Sequence, residues 1–282
     1  MLLREIINSI ESVAPRSAQE KWDNSGMQVG DTGRDIQSVL LTTDVTSEVV
    51  SEAIEHGCQL IISHHPLLFR PLKQVCGQTP QARIVEQAIK HDIAIYSAHT
   101  SLDSVSGGIN TRLADILGIK DYRILQPSGR SYSASGLAGS DGLTAQAVGL
   151  GVIGRLDEPM PFDSLLKRVR ERLNTTYIRY TMHNSQCTMH NAQCTIEKVA
   201  LCGGSGAEFI EEAIRQGADA YLTADCKYHD FQAAEGRIAL IDIDHWISER
   251  HAREIFRDIL APLGVTCYIS QKDKTPILIA NI

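Results

Sequence analysis

Hydrophobic and polar positions change period twice within residues 39–65, VLLTTDVTSEVVSEAIEHGCQLIISHH. An apolar, β-branched run opens the segment and a second one closes it, which predicts two buried strands. Between them, apolar side chains recur three and four positions apart, the spacing of one face of a helix. Gly57 then stands where a helix commonly ends in a left-handed residue. The segment therefore predicts a strand, a helix and a second strand.

The same pattern returns 160 positions later, in VALCGGSGAEFIEEAIRQGADAYLTAD at residues 199–225. The two segments align without a gap, so that Val39 matches Val199 and Gly57 matches Gly217. An ungapped match of this length indicates that one structural unit occurs twice in the chain.

A second matching block follows each copy. HDIAIYSAH at 91–99 resembles GRIALIDIDH at 236–245 when one residue is inserted, and each block ends in histidine. Strands that alternate with helices predict parallel pairing through helical crossovers. We infer an α/β protein of two similar lobes, each a mainly parallel sheet with helical crossovers.

The predicted domains are 1–127 for the first lobe and 128–282 for the second, whose start at 128–145 is linker-like. This boundary rests on QPSGRSYSASGLAGSDG at 126–142, which is rich in Ser and Gly. Apolar spacing or capping residues predict four further helices, at 1–13, from Thr79-Pro80 onward, at 162–173 and at 245–260.

Composition is that of an ordinary globular protein, with 43% hydrophobic and 22% charged residues in 282. The net charge of −7 argues against nucleic-acid binding, which needs a basic face. No apolar run approaches the roughly 20 residues that cross a bilayer, and Arg4 and Glu5 make the start an amphipathic helix rather than a signal peptide. Seven cysteines without a C-x-x-C pair predict reduced thiols, and we expect a cytoplasmic location.

Histidine and carboxylate side chains gather where three predicted strands end. Ligands of open α/β sheets collect beyond the carboxyl ends of the strands. Imidazole and carboxylate are the usual protein ligands of Zn, Fe, Mn and similar divalent ions. We therefore expect a divalent metal site between the two lobes. The residues concerned are His64 and His65, His99 with Asp103 four positions on, and His245 with Glu249 four positions on.

The number of such ligands bears on the number of ions. Three or four would serve one ion, and five or six would suit two ions about 3.5–4 Å apart. His64 and His65 point to opposite sides if extended, so they could reach two different ions, with Pro66 keeping His65 extended. A single histidine at a strand end is more often a hydrogen-bonded core or surface residue. The occurrence of these histidines and acids at matched points of a duplicated unit favours the metal site.

Four other stretches carry weaker signals. GGSG at 203–206 either cradles a phosphate or is a turn that needs glycine for steric reasons, and we favour the turn. TMHNSQCTMHNAQC at 181–194 lacks zinc-finger spacing and is more typical of an expanded loop or hairpin. WDNSGMQVGD at 22–31 predicts a loop over the site, although packing alone would explain its tryptophan. His229 either contacts substrate or caps a helix.

Six segments in order along the chain, WDNSGMQVGD, SHHPLLF, YSAHTSLD, CGGSG, LTADCKYHD and IDIDHWISE, resemble the Nif-three-like family, also described as GTP cyclohydrolase type 2-like dimetal proteins. The resemblance runs from about residue 1 to the C-terminus. It implies two α/β lobes with a dinuclear metal site between them, in homo-oligomers that are often hexameric toroids of dimers. The chain resembles the short form, without a central inserted domain. It has Thr223-Ala224-Asp225 where the family often has TGD.

The resemblance also implies a ligand set and two divalent ions per chain, which could be Zn, Fe, Mn, Co or Ni. His99 is expected near the metals and is a less certain ligand. The implied metal ligands are His64, His65, Asp103, His245 and Glu249.

The resemblance leads us to expect a metal-dependent hydrolase that acts on a nucleotide or a related N-heterocycle. Two ions would lower the pKa of a shared water toward about 7. Glu249 is the predicted bridging carboxylate, and either His99 or His229 is the candidate for proton transfer. The alternative is a non-catalytic metal-binding scaffold or regulatory interaction protein, which would bind metal without turnover. The sequence does not distinguish the metal or the substrate.

Overall fold

The structure is a computed structural model that describes residues 1–133, 145–182 and 195–280. Most of the TMHNSQC duplication and of the Ser/Gly-rich stretch lies outside the described residues. The strands are β1 (Gly26–Val29), β2 (Ser38–Thr42), β3 (Leu60–Ser63), β4 (Ala94–Ser97), β5 (Ile119–Ser133), β6 (Ala145–Pro161), β7 (Ile178–Tyr180), β8 (Thr195–Ser205), β9 (Ala220–Ala224), β10 (Ala239–Ile243) and β11 (Thr266–Ile269).

The helices lie between these strands in chain order. They are α1 (Leu3–Val13), α2 (Ser47–Glu55), α3 (Pro80–Lys90), α4 (Thr100–Asp103), α5 (Ile109–Leu117), α6 (Phe162–Arg172), α7 (Ile210–Arg215), α8 (Tyr228–Ala234), α9 (His245–Glu249) and α10 (Ala252–Leu260). Short 3-10 turns occur at Arg16–Ala18, Ala207–Phe209 and Ala261–Leu263. No helix of the described ranges combines the length and apolar character needed to cross a membrane.

The chain forms two compact units whose boundaries differ from the predicted 1–127 and 128–282. The first unit comprises Met1–Gly108, Ser131–Gln146 and Arg250–Lys274, and the second comprises Ile109–Arg130, Ala147–Glu249 and Thr275–Ile282. The C-terminal return has a physical cause: β11 pairs in parallel with β2, with Tyr268 opposite Leu40.

The first unit contains a five-stranded sheet in the order β1-β4-β3-β2-β11. All its pairings are parallel except that between β1 and β4. Its three central strands, β2, β3 and β4, are short and almost wholly buried, which fits a sheet covered on both faces, whereas the edge strands β1 and β11 are partly exposed. The apolar faces of α2 and α3 pack against it in one core cluster that includes Val49, Val50 and Val85.

The second unit contains a six-stranded sheet in the order β5-β6-β8-β9-β10-β7. Strands β8, β9 and β10 pair in parallel, whereas β6 pairs antiparallel with β8 and β7 pairs antiparallel with β10. Two core clusters occupy this unit, one that includes Leu201 and Leu222 and one that includes Ala200 and Tyr221.

The registers of the two sheets confirm the duplication. In the first unit Leu40 lies opposite Ile61, and in the second Ala200 lies opposite Tyr221, which are the same positions 160 residues on. Gly57 and Gly217 both have left-handed backbones just after their helices, at φ of 64° and 72°. The predicted α/β fold, with helical crossovers in both halves, is therefore correct.

The other predicted helices are present, although the last of them is interrupted, and the predicted linker also needs a correction. Thr79 accepts a hydrogen bond from the Ala82 amide and caps α3, which begins at Pro80 as predicted. The predicted linker is wrong at its start, because residues 126–133 continue β5. The long helix predicted at 245–260 is interrupted after Glu249. Its first turn is tied to β8, and α10 packs on β2 and β3 instead.

Buried polar groups anchor the returning C-terminal segment in the first unit. Glu52 of α2 is only 4% exposed and accepts hydrogen bonds from the hydroxyl of Ser270 and, at 2.8 Å, the amide of Gln271. Asp273, also buried, accepts a hydrogen bond from the Thr43 amide at 2.6 Å. These carboxylates fix the chain after β11 beside the ends of α2 and β2.

We expect Glu52→Ala to lower the free energy of unfolding by about 2 kcal/mol or more, because buried donors lose a charged acceptor. Urea unfolding followed by circular dichroism measures this change. The matched control is Glu55→Ala on the same helix, whose side chain is exposed, and we expect a change within about 0.5 kcal/mol. Equal midpoints for the two variants would contradict the anchoring role of Glu52.

Candidate metal centre

Three histidines of the first unit converge beyond the carboxyl ends of β3 and β4. One ring nitrogen from each of His64, His65 and His99 lies within 4.8 Å of the others. Ligand atoms on one tetrahedral ion are about 3–4 Å apart, so a small adjustment would place all three on a single cation. The strand ends therefore bring together the imidazoles that the sequence indicated.

His64 and His65 do not point to opposite sides. Their ring centroids are 5.0 Å apart, and each lies 5.4–5.5 Å from that of His99. Strand β3 ends at Ser63, so the alternation of a pleated strand no longer applies at the two histidines. The pair can therefore serve neighbouring positions of one cluster.

Asp103 adds a carboxylate to the same group. It ends the single turn α4, which begins directly after His99. Its Oδ1 lies 3.6 Å from Nε2 of His64, and both side chains are buried or nearly so. We call His64, His65, His99 and Asp103 the first ligand set.

Each histidine of this set has its Nδ1 beside an oxygen acceptor. His64 Nδ1 lies 2.9 Å from the carbonyl of Ala98, and His65 Nδ1 lies 2.8 Å from the carboxylate of Asp44. His99 Nδ1 lies 2.8 Å from Oδ1 of Asp23. A carbonyl or an ionised carboxylate can only accept, so Nδ1 carries the proton and donates. The lone pair of each neutral ring is then on Nε2, which is the arrangement of metal-binding histidines.

Asp23 is the most firmly held of these acceptors. Its side chain is fully buried and also accepts hydrogen bonds from both the amide and the hydroxyl of Thr100 and from the hydroxyl of Ser25. Burial raises the pKa of this carboxyl, but the hydrogen bond and charge of His99 outweigh it and hold the pKa well below its usual value. Asp23 therefore stays ionised and fixes the tautomer of His99.

The second unit carries one histidine and one carboxylate, His245 and Glu249, which we call the second ligand set. His245 begins α9, and Glu249 follows four positions later on the same face, with Oε2 2.8 Å from His245 Nε2. Nδ1 of His245 lies 2.7 Å from Oδ2 of Asp225, just beyond β9. The predicted i, i+4 pair is thus formed, and Asp225 holds the other side of the ring.

The charges around His245 favour a cation. Burial lowers the pKa of His245, but its hydrogen bonds to Asp225 and Glu249, with their charges, raise it to about 11. The hydrogen bond from His245 keeps the pKa of Asp225 below its usual value. Two carboxylates therefore stabilise positive charge on and beside this imidazole. The oxygen and nitrogen donors of both sets suit divalent ions of the zinc and manganese type.

The glycines of GGSG make room for Glu249. Gly204 has φ of +65°, and a Cβ added there would lie 2.1 Å from Oε1 of Glu249. The amide of Gly203 donates to Oδ1 of Asn110, and that of Gly204 donates to the hydroxyl of Ser248. These two amides are therefore engaged within the protein, which favours the steric explanation over a phosphate cradle.

A cavity of about 520 Å³ opens beside His245 within the second unit. Its lining includes the carboxylates of Asp225 and Asp244, the aromatic ring of Tyr177 and the guanidinium of Arg179. Arg179 is held by Asp242 at 2.6 Å. His229 lies elsewhere, exposed on α8 beside Gln232.

The structure thus assembles the predicted residues as two sets, one in each unit. That both sets serve one dinuclear centre stays a prediction, as do the catalytic roles of Glu249 and His99. Sequence reasoning missed the acceptors Asp23 and Asp44 and gave Asp225 no role. A signal existed for two of them, because Asp44 lies two residues beyond the buried strand β2 and Asp225 directly follows the buried strand β9.

Comparisons with known proteins identify the family of this chain. The family profile described as Duf34/NIF3 (NGG1p interacting factor 3) matches residues 1–276. The chain belongs to the Duf34/NIF3 family. Its relatives include a Streptococcus pneumoniae protein named GTP cyclohydrolase 1 type 2 homolog, 34% identical over 88% of this chain and 86% of the relative. The Drosophila melanogaster NIF3-like protein 1 is 30% identical over 98% of this chain and 88% of the relative.

Solved structures of Duf34/NIF3 relatives share the fold. A Bacillus cereus protein related to NIF3 aligns with a TM-score of 0.83 and 25% identity over 99% of each chain. A Staphylococcus aureus protein aligns with a TM-score of 0.85 and 26% identity, again over 99% of each. The family resemblance inferred from the six motifs is therefore confirmed.

We expect Gly204→Ala to displace the carboxylate of Glu249 and to reduce metal retention, because the added Cβ takes the space of Oε1. Gly236→Ala is the matched control, since Gly236 has a similar φ of +73° but no atom within 4 Å of the added Cβ. Both variants carry a backbone cost of about 1–2 kcal/mol. Elemental analysis after dialysis should show a loss of metal in Gly204→Ala alone. Equal metal contents would rule out this steric coupling.

Proposed function

We propose that this Duf34/NIF3 protein binds divalent metal ions and acts as a metal-dependent hydrolase on a nucleotide or a related N-heterocycle. The observation that carries the metal assignment is the common state of His64, His65, His99 and His245. Each has its Nδ1 beside an oxygen acceptor. Three of these rings, those of His64, His65 and His99, also bring one nitrogen each to within 4.8 Å of the others, which is the convergence that a shared cation needs.

The reaction class is supported by the names of relatives. Proteins from Streptococcus pneumoniae and Clostridium perfringens, 34% and 35% identical to this chain, are named GTP cyclohydrolase 1 type 2 homolog. Such a name points to hydrolytic ring opening of a purine nucleotide. The cavity beside His245, about 520 Å³ in volume, has the size of a small-molecule site.

The mechanism divides between what an ion supplies and what the chain supplies. A bound divalent ion would polarise a substrate oxygen or nitrogen and lower the pKa of a nearby water. The first ligand set and the second would hold such ions through imidazole nitrogens and carboxylate oxygens. Asp23, Asp44 and Asp225 keep the protons on Nδ1, which orients three of the rings.

Glu249 is the proposed proton acceptor. Its side chain is only 3% exposed, and it lies 2.8 Å from His245 Nε2 in a position fixed by α9 and Gly204. A buried carboxylate with a fixed orientation can take a proton from an attacking water and pass it to a leaving nitrogen. His99 is proposed to act mainly as a ligand, because one of its ring nitrogens belongs to the converging trio.

We expect Asp23→Asn to weaken metal affinity about 10- to 100-fold, because loss of the partner that orients a ligand histidine has effects of that size. Titration of chelator-treated protein with Zn²⁺ and Mn²⁺ in a calorimeter measures the affinity. Asp31→Asn is the control, since Asp31 is exposed in the same motif and accepts a hydrogen bond from the amide of Gly33 in its own loop. Unchanged affinity in Asp23→Asn would contradict the role of Asp23 in holding His99.

The prediction of one dinuclear centre has a separate test. If both sets serve the same two ions, His64→Ala and His245→Ala should each lower the content of both ions in protein purified without added metal. His229→Ala is the control, because His229 is exposed and bonds Gln232. If each variant loses only one ion and fully retains the other, the sets act separately.

The hydrolase proposal is tested by incubating metal-loaded protein with GTP and other purine nucleotides and following products by liquid chromatography. We expect turnover that needs the ion and falls at least about 100-fold in Glu249→Gln, since removing a positioned proton-transfer group has effects of about 10²–10⁴. Metal binding without turnover of any nucleotide would discard the hydrolase and leave a non-catalytic metal protein.

A further inference from the structure

Two exposed aromatic side chains stand beside the first ligand set. Trp22 is 60% exposed and Phe69 is 48% exposed. Their ring centroids are 6.0 Å apart, and they lie 6.0 Å and 6.2 Å from the ring of His99. We call Trp22 and Phe69 the aromatic pair. It forms an apolar surface directly next to a candidate metal ligand.

The loops that carry the aromatic pair are fastened to each other. The side-chain amide of Asn24 donates to the carbonyl of Leu68 at 2.9 Å, and the amide of Leu68 donates to Oε1 of Gln28 at 3.1 Å. Asn24 lies two residues after Trp22, Leu68 directly precedes Phe69, and Gln28 belongs to β1, which follows Trp22 in the chain. The rings are therefore positioned before any ligand arrives, which lowers the entropic cost of binding.

The same loop also positions His99. Asp23, the neighbour of Trp22, accepts the hydrogen bond from His99 Nδ1. The indole and the imidazole are thus set by consecutive residues of one segment. A molecule that contacts the indole lies within a few ångströms of the ring that would hold a metal ion.

Packing does not explain the exposure of the pair. All three rings meet edge to face, at interplanar angles of 70–83°, and about half of each aromatic side chain remains open to solvent. Large apolar side chains exposed together and bordered by polar residues mark a binding surface. Tyr228 is exposed as well, at 75%, but its ring partner is the surface residue His229.

The flanking charges indicate the chemistry of the ligand. Lys21 precedes Trp22 and Arg70 follows Phe69, and both are exposed. Aromatic rings stack on any planar heterocycle, and neighbouring Lys and Arg side chains favour an anionic group such as phosphate.

We propose that Trp22 and Phe69 form a stacking platform that holds the heteroaromatic ring of an anionic substrate, such as a nucleotide, beside His99. This assignment deepens the proposed function and rests on it for the nature of the substrate. It makes Trp22 and Phe69 specificity-determining residues that bind the ring, while the ligand sets hold the ions.

Binding of GMP, guanosine and tripolyphosphate by calorimetry tests the platform, with the full chain both as purified and after chelator treatment. We expect GMP and guanosine to bind, and the affinity to fall about 5- to 100-fold in Trp22→Leu and in Phe69→Leu, the range that stacking on one aromatic ring produces. Trp22→Phe keeps a ring and should bind within about threefold of the wild type. Tyr228→Leu is the control for loss of an exposed aromatic residue and should leave the affinity unchanged.

Several results would overturn the platform. One is absence of guanosine binding to the wild type, and another is equal affinity in Trp22→Leu and Tyr228→Leu. Tripolyphosphate binding as tight as GMP binding would show that phosphate alone is recognised. A changed oligomeric state in Trp22→Leu with unchanged GMP affinity, seen by analytical ultracentrifugation, would assign the pair to a contact between chains.

The same variants distinguish a wrong assignment of the stacking platform from a wrong assignment of hydrolase activity. Trp22→Leu should retain the metal content of the wild type, because Trp22 contributes no ligand atom. GMP binding that depends on Trp22, in a protein without turnover, would keep the platform and discard the hydrolase. Turnover that is unaffected in both leucine variants would keep the hydrolase and discard the platform.

Discussion

A neutral imidazole offers the lone pair of Nε2 to a cation when its other nitrogen carries the proton, and this requirement determines the surroundings of both ligand sets. The structure meets it four times, with the carbonyl of Ala98 and the carboxylates of Asp23, Asp44 and Asp225. These acceptors come from different loops, so the chain must bring several strand ends together before any ring is correctly oriented. The parallel sheets do this because their carboxyl ends lie along one edge.

The duplication explains why the two ligand sets are alike in plan and different in detail. In both halves a histidine lies two residues beyond a strand, with an acid four positions later. The matched position of His65 is occupied by Asp225, so one half presents a ligand where the other presents the acceptor that orients one. The matched position of Asp44 is Gly204, because Glu249 approaches its backbone too closely for any side chain. Each exchange alters the chemistry and leaves the sheet unchanged.

Sequence patterns predicted the parts of the structure that depend on local order. The strand-helix-strand repeats, the cap at Thr79 and the positions of the histidines at strand ends follow from periodicity and turn chemistry. The break after Glu249 and the return of β11 to β2 could not be read in this way, since they depend on pairing between distant segments. The acceptor role of Asp23 was hidden for the same reason: it lies 76 residues from His99 in the chain.

One short segment carries both Trp22, whose indole ring is exposed, and Asp23, which orients the candidate metal ligand His99. Asp23 is held by five hydrogen bonds to His99, Thr100, Ser25 and its own neighbour Asn24. A movement of the segment would disturb the tautomer of His99 and the exposed indole together. The proposed ligand at the indole and the proposed cation at His99 would therefore stabilise the same loop conformation. Because linkage is reciprocal, each binding event would strengthen the other to the extent that it orders this loop.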